Sequence, residues 1–389
     1  MQRIATGIDI GTHHIKVVIA ERTGDPKDPP RILGTGFAES RGLRHGYIIS
    51  GGDVTRSVSL AVAQAEKAAK TKVREAYVGV GGVSLSEIFS RGETIVTRGD
   101  GEISERDVAQ ALAASESSIS PSQMLNHKII HTIPLRYMVD GNPLMGSRPQ
   151  GLKGIKLAVE TLFITCLTQH FKDLVEAVEE AGIEVQDIVA APLAASFVTI
   201  TKPQKMAGCI LANIGAETFS IVVFEDGVPI SIKVFPTGGS DITNDIALGL
   251  RVPIEEAEQI KLGAITGRDV PRRKLEDIIT RRLSDMFKLV EAHLKKMGKD
   301  GLLPAGIIIT GGGSRIQTAT DLAKAVLRLP SRLAHLTAID SKMQLKDGSW
   351  AVAYGLTIWG FTSPDFGGSE SGRWDMVRMA RRVLKKFLP

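Results

Sequence analysis

Strand-like and helix-like patterns of apolar positions alternate along most of the chain. Apolar residues spaced three or four apart predict helices over residues 54–70 and 171–181, and a long charged helix over residues 272–297. Asp53 stands where the first of these helices needs an N-cap. The apolar run at residues 306–313 predicts a buried strand that leads into a glycine turn. Alternating strands and helices of this kind are typical of an α/β protein.

A strand, a glycine turn and a returning strand occur twice, once in each half of the chain. In the first copy, DIG at residues 9–11 is followed by IKVVIA; in the second, NIG at residues 213–215 is followed by FSIVVF. Apolar runs at residues 4–10 and 15–20 predict that the first copy is a hairpin, and the second copy predicts another. An internal repeat of this size predicts two similar domains that face each other across a cleft.

Residues 84–160 do not belong to this repeat. A Ser-x-x-Asp capping box from Ser104 to Asp107 precedes the apolar stretch VAQALAA and predicts a helix start. Strand patterns follow at residues 129–133 and 155–164. We expect this segment to form a separate subdomain inserted into the first half.

Length and cysteine content narrow the class of protein. A chain of 389 residues exceeds one hydrophobic core, so two or more domains are expected. No apolar run reaches the roughly 18 residues of a membrane span, and the first residues lack the pattern of a signal peptide. Cys166 and Cys209 lie far apart in apolar stretches, which predicts reduced core residues in a reducing compartment.

The positive charge of the chain is concentrated at its C-terminal end. The formal net charge is +5, and residues 373–389 contain six of the 48 lysines and arginines but one of the 43 acidic residues. The rest of the chain is therefore electrically balanced. Nucleic-acid-binding proteins usually spread their basic residues over a folded face. The pattern argues against nucleic acid as a partner and favours a local electrostatic anchor.

Residues 373–389 predict an amphipathic helix, because apolar and basic side chains fall on opposite arcs at about 100° per residue. The apolar arc contains Met376, Val377, Val383, Leu384, Phe387 and Leu388; the basic arc contains Arg378, Arg381, Arg382, Lys385 and Lys386; Trp374 belongs to the first turn, at headgroup depth. Residues 362–372 read as a flexible linker before this helix. The combination predicts peripheral attachment to anionic membrane lipid. Packing of the helix on the protein's own body is the alternative.

The first glycine turn carries groups suited to a phosphate and a metal ion. Glycine lets backbone N–H groups approach a phosphate closely, and the pattern Gly7-x-Asp9-x-Gly11-Thr12 places two such N–H groups in the turn. Asp9 offers a carboxylate for a hydrated Mg²⁺, and Lys16 on the returning strand offers a compensating charge. The P-loop and Rossmann patterns are both missing from the sequence.

Together, the glycine turns resemble the nucleotide loops of the actin/Hsp70/sugar-kinase superfamily. Residues 7–16 and 213–218 resemble its two phosphate loops, residues 310–314 its adenosine loop, and Glu258 and Lys261 its ribose-contacting Glu-x-x-Lys. The resemblance implies ATP and Mg²⁺ as cofactors, with the ion held through water by Asp9. The implied nucleotide-binding residues are Gly7, Asp9, Gly11, Thr12, His13, Lys16, Asn213, Gly215, Ala216, Glu217, Thr218, Gly238, Gly239, Glu258, Lys261, Gly311, Gly312, Gly313 and Ser314. An ordinary surface ion pair is the alternative for Glu258 and Lys261.

Within that superfamily, the chain resembles the FtsA family of bacterial cell-division proteins over nearly its whole length. The matching segments are YVGVGG (77–82), EISERDV (102–108), IIHTIPLRYMVDG (129–141), GIEVQDIVAAPLAAS (182–196), TNDIALGL (243–250) and IIITGGGSRI (307–316). The resemblance implies an α/β, actin-like fold of two duplicated domains around a nucleotide cleft, with an inserted subdomain 1C of the SHS2 type. The implied boundaries are 1–83, 161–203 and 340–361 for domain 1A, 84–160 for subdomain 1C, 204–339 for domain 2 (subdomains 2A and 2B, with 2B at about 245–300), 362–372 for the linker and 373–389 for the membrane-targeting helix.

The same resemblance implies a function. FtsA proteins form filaments on the cytoplasmic face of the inner membrane at the division septum and tether the tubulin-like protein FtsZ there. They bind the C-terminal peptide of FtsZ through subdomain 2B and recruit late division proteins through subdomain 1C. The implied partners are therefore FtsZ, further copies of the chain, anionic lipid and late division proteins. Arg282 matches an arginine of the family's peptide contact, and a solvated charged helix is the alternative interpretation.

Some positions depart from the superfamily pattern. Asn213 stands where actin-like ATPases usually carry Asp, Ala190-Ala191 where many relatives place Gln, and His13-His14 where small or polar residues are usual. Asn cannot accept a proton, so we expect nucleotide binding with slow or no hydrolysis. The alternatives are a pilus-assembly protein of the PilM type and a small-molecule kinase of the superfamily. The basic C-terminal helix favours the FtsA resemblance over PilM.

Overall fold

The computed structural model describes residues 3–22, 29–144, 148–263, 271–316, 318–336 and 347–362. The chain up to residue 83 forms β1 (Arg3–Ile10), β2 (His14–Arg22), β3 (Arg31–Glu39), β4 (Leu43–Arg44), β5 (Tyr47–Ile48), α1 (Gly51–Ala69) and β6 (Glu75–Val80). The inserted segment forms β7 (Ser86–Ile95), α2 (Glu105–Ser117), α3 (Pro121–Met124), β8 (His127–Val139), β9 (Asn142–Pro143) and β10 (Lys156–Leu167). The chain then returns to the first domain through α4 (Thr168–Glu179), β11 (Glu184–Ala190), α5 (Ala191–Thr199) and α6 (Lys202–Ala207).

The second half repeats the pattern of the first. It forms β12 (Cys209–Ile214), β13 (Phe219–Glu225), β14 (Val228–Phe235), α7 (Gly239–Leu250), α8 (Ile254–Lys261), α9 (Arg272–Lys296), β15 (Ile307–Thr310), a 3₁₀ turn (Gly312–Arg315), α10 (Ala319–Leu327) and β16 (Ser331–Leu333). A second 3₁₀ turn (Gly348–Trp350) and α11 (Ala351–Thr362) return to the first domain.

The two large sheets have the same topology. The first has the strand order β11-β6-β1-β2-β3, and the second has the order β16-β15-β12-β13-β14. In each, the hairpin strands are antiparallel, and the first hairpin strand lies parallel to a strand on its other side, β6 for β1 and β15 for β12. The predicted duplication is therefore confirmed.

Most of the buried apolar residues fall into two clusters, one around the first sheet that also includes one face of the second sheet, and one on the other face of the second sheet. In the first, α11 is buried along nearly its whole length and packs on α5 and β1, which is why its sequence, AVAYGLTIWGFT, is apolar on every side. In the second, α9 buries one stripe at helical spacing (Leu283, Met286, Phe287, Val290 and Leu294) and leaves its charged residues outside. Cys166 and Cys209 are both buried and not disulfide-linked.

The helix start predicted at Asp53 was wrong by one turn. Helix α1 begins at Gly51 and Ser50 holds the cap position, so Asp53 lies inside the first turn. Its carboxylate accepts a hydrogen bond of 2.7 Å from the Ser50 hydroxyl and pairs with Arg56. A negative charge is favourable in the first turn as well as at the cap, because both positions face the positive end of the helix dipole.

The inserted segment forms its own four-stranded sheet, of order β7-β10-β8-β9, with α2 packed on β7 and β10. The predicted capping box is present: the Asp107 carboxylate accepts a bond of 2.8 Å from the Ser104 N–H. The predicted boundary at residue 160 falls inside β10, so the insertion extends to Leu167. Likewise, the boundary at residue 203 falls inside α6. Periodicity within one strand gives no sign of where a domain ends.

The C-terminal predictions lie beyond the part of the chain that the structure describes. This applies to the linker after Thr362 and to the amphipathic helix at residues 373–389. None of the helices that the structure describes is both long and apolar enough to cross a lipid bilayer.

Candidate nucleotide-binding site

The turns of the two hairpins face each other across a cavity of about 630 Å³ between the domains. The cavity is lined by fifteen of the residues singled out from the sequence: Asp9, Gly11, Thr12, His13, Lys16, Asn213, Gly215, Ala216, Thr218, Gly239, Glu258, Lys261, Gly311, Gly312 and Gly313. Residues from five separate stretches of sequence therefore meet at one place. A cavity of this size is in the range of small-molecule sites.

The first hairpin supplies opposite charges to the cavity. Asp9 and Lys16 are directly opposite each other in the β1–β2 pair, so their side chains leave the same face of the sheet. Burial raises the pKa of the Asp9 carboxyl to about 6, although the Lys16 charge opposes that rise. Burial also lowers the pKa of the Lys16 ammonium, whose Nζ donates to the Ser349 carbonyl oxygen at 2.8 Å. This ammonium is partly desolvated and already points along the cavity wall.

The second hairpin has the same shape without the cross-strand pair of opposite charges. Asn213 is opposite Ser220, and the Gly215 N–H closes the turn on the Thr218 carbonyl oxygen at 2.8 Å. The start of α7 is fastened to this turn, because the Gly239 N–H donates to the Gly215 carbonyl oxygen at 2.9 Å. Asn213 offers a neutral amide where the first hairpin offers a carboxylate.

Glu258 and Lys261 lie on the same face of α8, as their spacing predicts. The Lys261 Nζ is 2.6 Å from a Glu258 carboxylate oxygen and donates to the Gly239 carbonyl oxygen at 3.0 Å. Thr243 donates its hydroxyl to the same carboxylate at 2.5 Å. Burial opposes ionisation of Glu258, yet these hydrogen bonds and the Lys261 charge hold its pKa below the ordinary value. This pair is anchored to the wall of the cavity, unlike a solvated surface ion pair.

Four of the predicted nucleotide-binding residues do not line the cavity. Gly7 lies in β1 against α11, where a Cβ would overlap the Ala353 carbonyl oxygen. Gly238 is packed against the second hairpin turn in the same manner. Both glycines are therefore needed for close packing of backbone.

The other two are engaged elsewhere. The Ser314 hydroxyl donates to the Gly311 carbonyl oxygen at 2.6 Å and so closes the glycine turn. The Glu217 carboxylate accepts a hydrogen bond of 2.5 Å from the His45 N–H, on the far side of the cleft.

Sequence reasoning missed the segment just before α11. Asp347, Ser349 and Trp350 all line the cavity. The Asp347 carboxylate pairs with Arg315, which follows the triple glycine in the other domain, at 2.5 Å. Burial opposes ionisation of Asp347, but hydrogen bonds from Ser349 and the Arg315 charge hold its pKa below the ordinary value. Ser349 is 333 positions from Lys16 in the chain, so local sequence contains no sign of the contact.

The donor set suits a magnesium nucleotide. Oxygen ligands are those that Mg²⁺ prefers, and the ion usually keeps several waters and binds one or two carboxylates together with substrate phosphates. Asp9 provides a carboxylate at the floor of the cavity, and the Asn213 amide can donate to or accept from a bound water.

The candidate partner-binding residue, Arg282, lies apart from this cavity. Its guanidinium makes a bidentate ion pair with Asp245 of α7, at 2.6 and 2.8 Å. The side chain is 34% exposed, so the ion pair is partly accessible to solvent. The ion pair joins α9 to α7.

Comparisons with known proteins agree with this architecture. A family model described as "Cell division protein FtsA" matches residues 210–355, and a model for the "SHS2 domain inserted in FTSA" matches residues 85–165. FtsA of Bacillus subtilis (strain 168) is 32% identical, over 84% of this chain and 77% of that protein. FtsA of Pseudomonas aeruginosa is 28% identical, over 95% of this chain and 92% of that protein.

Solved structures show the fold. A chain of the "PilM-PilN type IV pilus biogenesis complex" has a TM-score of 0.67 at 18% identity, over 92% of this chain and 98% of that one. MreB5 of Spiroplasma citri bound to ADP has a TM-score of 0.54 at 12% identity, over 92% of this chain and 97% of that one. These likenesses confirm the actin-like fold and say nothing more. Because the sequence identity to FtsA reaches 32% over most of the chain and the SHS2 insertion interrupts the first domain, the chain belongs to the FtsA family of cell-division proteins.

Proposed function

We propose that this chain binds ATP with Mg²⁺ in the cavity between its domains, forms filaments on the cytoplasmic face of the cell membrane, and tethers FtsZ there during division. The observation that carries the proposal is the meeting of two hairpin turns, one of them charged, with the Glu258–Lys261 pair at a single cavity. The MreB5 structure, of similar fold, is bound to ADP.

Each part of the cavity has a role in this proposal. The Lys16 ammonium attracts phosphate oxygens more strongly than a solvated lysine would, because its surroundings are partly desolvated. Glu258 accepts hydrogen bonds from ribose hydroxyls, and Lys261 holds its carboxylate in place. Asp9 would hold a hydrated Mg²⁺ ion, which would supply neutralisation of the phosphate charge.

Hydrolysis is slow or does not occur in this proposal. Attack by water on a phosphate needs a group that positions the water. The second hairpin offers the Asn213 amide, and the lining residue Ala191 offers a methyl group. The chain then uses ATP mainly as a ligand that closes the two domains on each other.

Titration of ATP in the presence of Mg²⁺ tests the binding. Wild type and Lys288→Met, which removes an exposed lysine on α9, should bind equally, whereas Lys16→Met should bind at least about tenfold more weakly. Phosphate release by wild type should stay below about 1 per second, the lower end of ordinary enzyme rates. Equal ATP affinity of all three proteins would show that ATP does not bind in this cavity.

The membrane part of the proposal rests on residues 373–389. Burial of a large apolar side chain contributes about 1.5–3 kcal/mol when complete, and each basic residue adds up to about 1 kcal/mol on anionic lipid. Helix formation opposes binding, since a segment of about 15 residues is marginal in water. One tail therefore binds weakly, and several tails joined in a filament bind stably because linked sites multiply weak affinity.

Sedimentation with anionic liposomes tests the anchor. Wild type should pellet more with ATP than without it, and both a chain ending at residue 372 and Leu384→Glu should stay in solution. Leu384→Met is the matched control, because it keeps the apolar arc. Pelleting of the shortened chain would show that the membrane anchor lies in another part of the protein.

Binding of the FtsZ tail peptide is proposed to involve Arg282, with late division proteins bound by the inserted subdomain. Arg282→Glu removes a cationic contact but also breaks the ion pair to Asp245. Asp245→Asn breaks the same pair and leaves the arginine in place. If Arg282 contacts the peptide, Arg282→Glu should weaken binding and Asp245→Asn should not. Equal losses in both variants would assign the effect to the α7–α9 contact.

The alternative of a PilM-like role is not favoured. The PilM likeness concerns the fold at 18% identity, whereas the FtsA relatives match at the level of sequence over most of the chain.

A further inference from the structure

A short hairpin lies between the nucleotide cavity and the root of the inserted subdomain. It consists of β4, β5 and the turn His45–Gly46 between them. The His45 N–H donates to the Glu217 carboxylate at 2.5 Å, and the His45 Nδ1 is 3.3 Å from the Glu217 carbonyl oxygen. Glu217 belongs to the turn of the second hairpin, and its neighbours Ala216 and Thr218 both line the cavity. The short hairpin is thus hydrogen-bonded across the cleft to the turn of the second hairpin, residues 215–218. We call this the phosphate-facing turn, after the position of the proposed ATP phosphates.

The same residue is bonded to the point where the chain enters the inserted subdomain. The His45 carbonyl oxygen accepts a hydrogen bond of 3.4 Å from the Val83 N–H. Beside it, the backbones of Gly46 and Gly82 are in contact, and both residues have a φ of +82°. A Cβ on either residue would overlap the other. The short hairpin and the entry segment therefore move together.

The exit from the inserted subdomain is tied to the same place. The Tyr47 ring of β5 lies 5.3 Å from the ring of His170, in the first turn of α4 just after β10. The His170 Nδ1 is 2.8 Å from the Ser84 hydroxyl oxygen, which joins exit to entry. Burial lowers the pKa of His170 to about 4, so this ring is neutral at physiological pH. Both connections between the first domain and the inserted subdomain therefore contact the short hairpin.

We propose that the short hairpin couples the phosphate-facing turn to the inserted subdomain: a shift of that turn at Glu217 moves His45 and, through Val83 and Tyr47, changes how firmly the subdomain is held at its root. Coupling of two sites acts in both directions. A partner that binds the inserted subdomain then also changes affinity at the cavity. The effect of nucleotide rests on the proposed ATP binding. The mechanical link, by which we mean the contacts from Glu217 through the short hairpin to the subdomain root, does not.

Hydrogen–deuterium exchange on the full chain tests the link first without nucleotide. Glu217→Ala removes the acceptor for the His45 N–H, and Glu217→Gln keeps one. Amides at residues 83–90 and 163–171 should exchange about tenfold faster in Glu217→Ala than in wild type, because a hydrogen bond to a charged group is lost. Glu217→Gln should lie between the two. Unchanged exchange at both segments in Glu217→Ala would overturn the proposal.

A second comparison leaves the cavity unchanged and removes the contact between the short hairpin and His170. Tyr47 does not line the cavity, so Tyr47→Ala and Tyr47→Phe should both bind ATP as wild type does. Saturating ATP with Mg²⁺ should slow exchange at the two root segments in wild type and in Tyr47→Phe, which keeps the ring on His170. In Tyr47→Ala that nucleotide effect should fall several-fold, in line with the loss of one ring contact. An equal nucleotide effect in all three proteins would also overturn the proposal.

The two comparisons separate the possible failures. If wild type binds no ATP while Glu217→Ala still loosens the subdomain root, the proposed function fails and the mechanical link stands. If ATP binds and neither set of variants changes the root, the link fails and the proposed function stands.

Discussion

The two large hairpins have the same backbone and different chemistry. Strands β1 and β12 each pair antiparallel with the following strand and parallel with a strand on the other side. The polar cross-strand pair that lines the cavity is Asp9 with Lys16 in the first hairpin and Asn213 with Ser220 in the second. The fold is duplicated, but this cross-strand pair is ionic only in the first hairpin. The first hairpin presents a carboxylate and an ammonium to the cavity, whereas the second presents the Asn213 amide and the Ser220 hydroxyl.

A second difference concerns packing. At an offset of 204 residues, which aligns Asp9 with Asn213, Gly7 of β1 corresponds to Leu211 of β12. Leu211 is fully buried in the core, whereas Gly7 is in contact with the backbone of α11. The glycine therefore reflects the close approach of the α11 backbone to β1 at this point. Equal topology therefore does not give corresponding residues the same role.

The largest effect is expected where the first hairpin meets α11. Gly7→Ala places a methyl group on the Ala353 carbonyl oxygen, so the unfolding free energy should fall by about 3 kcal/mol, at the upper end of overpacking effects. Denaturant unfolding measures this. The control is Gly51→Ala, which meets open space at the start of α1 and should change stability by less than about 1 kcal/mol. Equal stability of the two variants would mean that the hairpin does not depend on this contact.

The next effect concerns pH, and only the first hairpin should show it. The folded pKa of Asp9 is about 6 and its unfolded pKa is about 3.8, so the folded state holds the proton more tightly. The stabilisation is complete below about pH 4 and is lost as pH rises through 6, by at most about 3 kcal/mol because water reaches the cavity. Unfolding in EDTA, without nucleotide, should show this loss in wild type and not in Asp9→Asn. Parallel pH profiles would contradict the assignment.

Removal of the Asp9 charge should also weaken nucleotide binding in the presence of Mg²⁺. Asp9→Asn gives the first hairpin the same amide that Asn213 gives the second, while Lys16 keeps its charge, and ATP affinity should fall roughly 10- to 100-fold, as expected when a charged partner is lost. Calorimetric titration with and without Mg²⁺ checks the cause. The loss should be confined to the Mg²⁺ series, because without the ion a carboxylate beside phosphates is unfavourable.

The smallest change in affinity is expected from making the second hairpin resemble the first. Asn213→Asp should leave ATP affinity within about threefold of wild type, less than 0.7 kcal/mol by the usual conversion, and should raise phosphate release. Asn213→Ser is the matched control, since it is neutral and should not raise the rate. A rate unchanged in Asn213→Asp would indicate that the missing charge is not what limits hydrolysis.

Much of the fold was predictable because its signals are local. The apolar runs beside the turn at Gly11, the repeat at Asn213 and the capping box at Ser104 each depend on residues a few positions apart. The helix start at Asp53 was wrong because the first turn accepts acidic residues as readily as the cap does. The predicted boundary at residue 160 falls inside β10, all of which pairs within the inserted sheet, because strand periodicity does not mark where a domain ends.

Spacing and residue type were enough to predict which segments form hairpins and that basic charge is concentrated in residues 373–389. The folded chain was needed to show that Lys16 donates to Ser349, that Glu217 faces His45 and not the cavity, and that Arg282 is paired with Asp245. Such contacts join residues 37 to 333 positions apart. No local pattern encodes them. Each contact forms only when distant segments of the chain pack together and exclude the water that would otherwise bind the same polar groups.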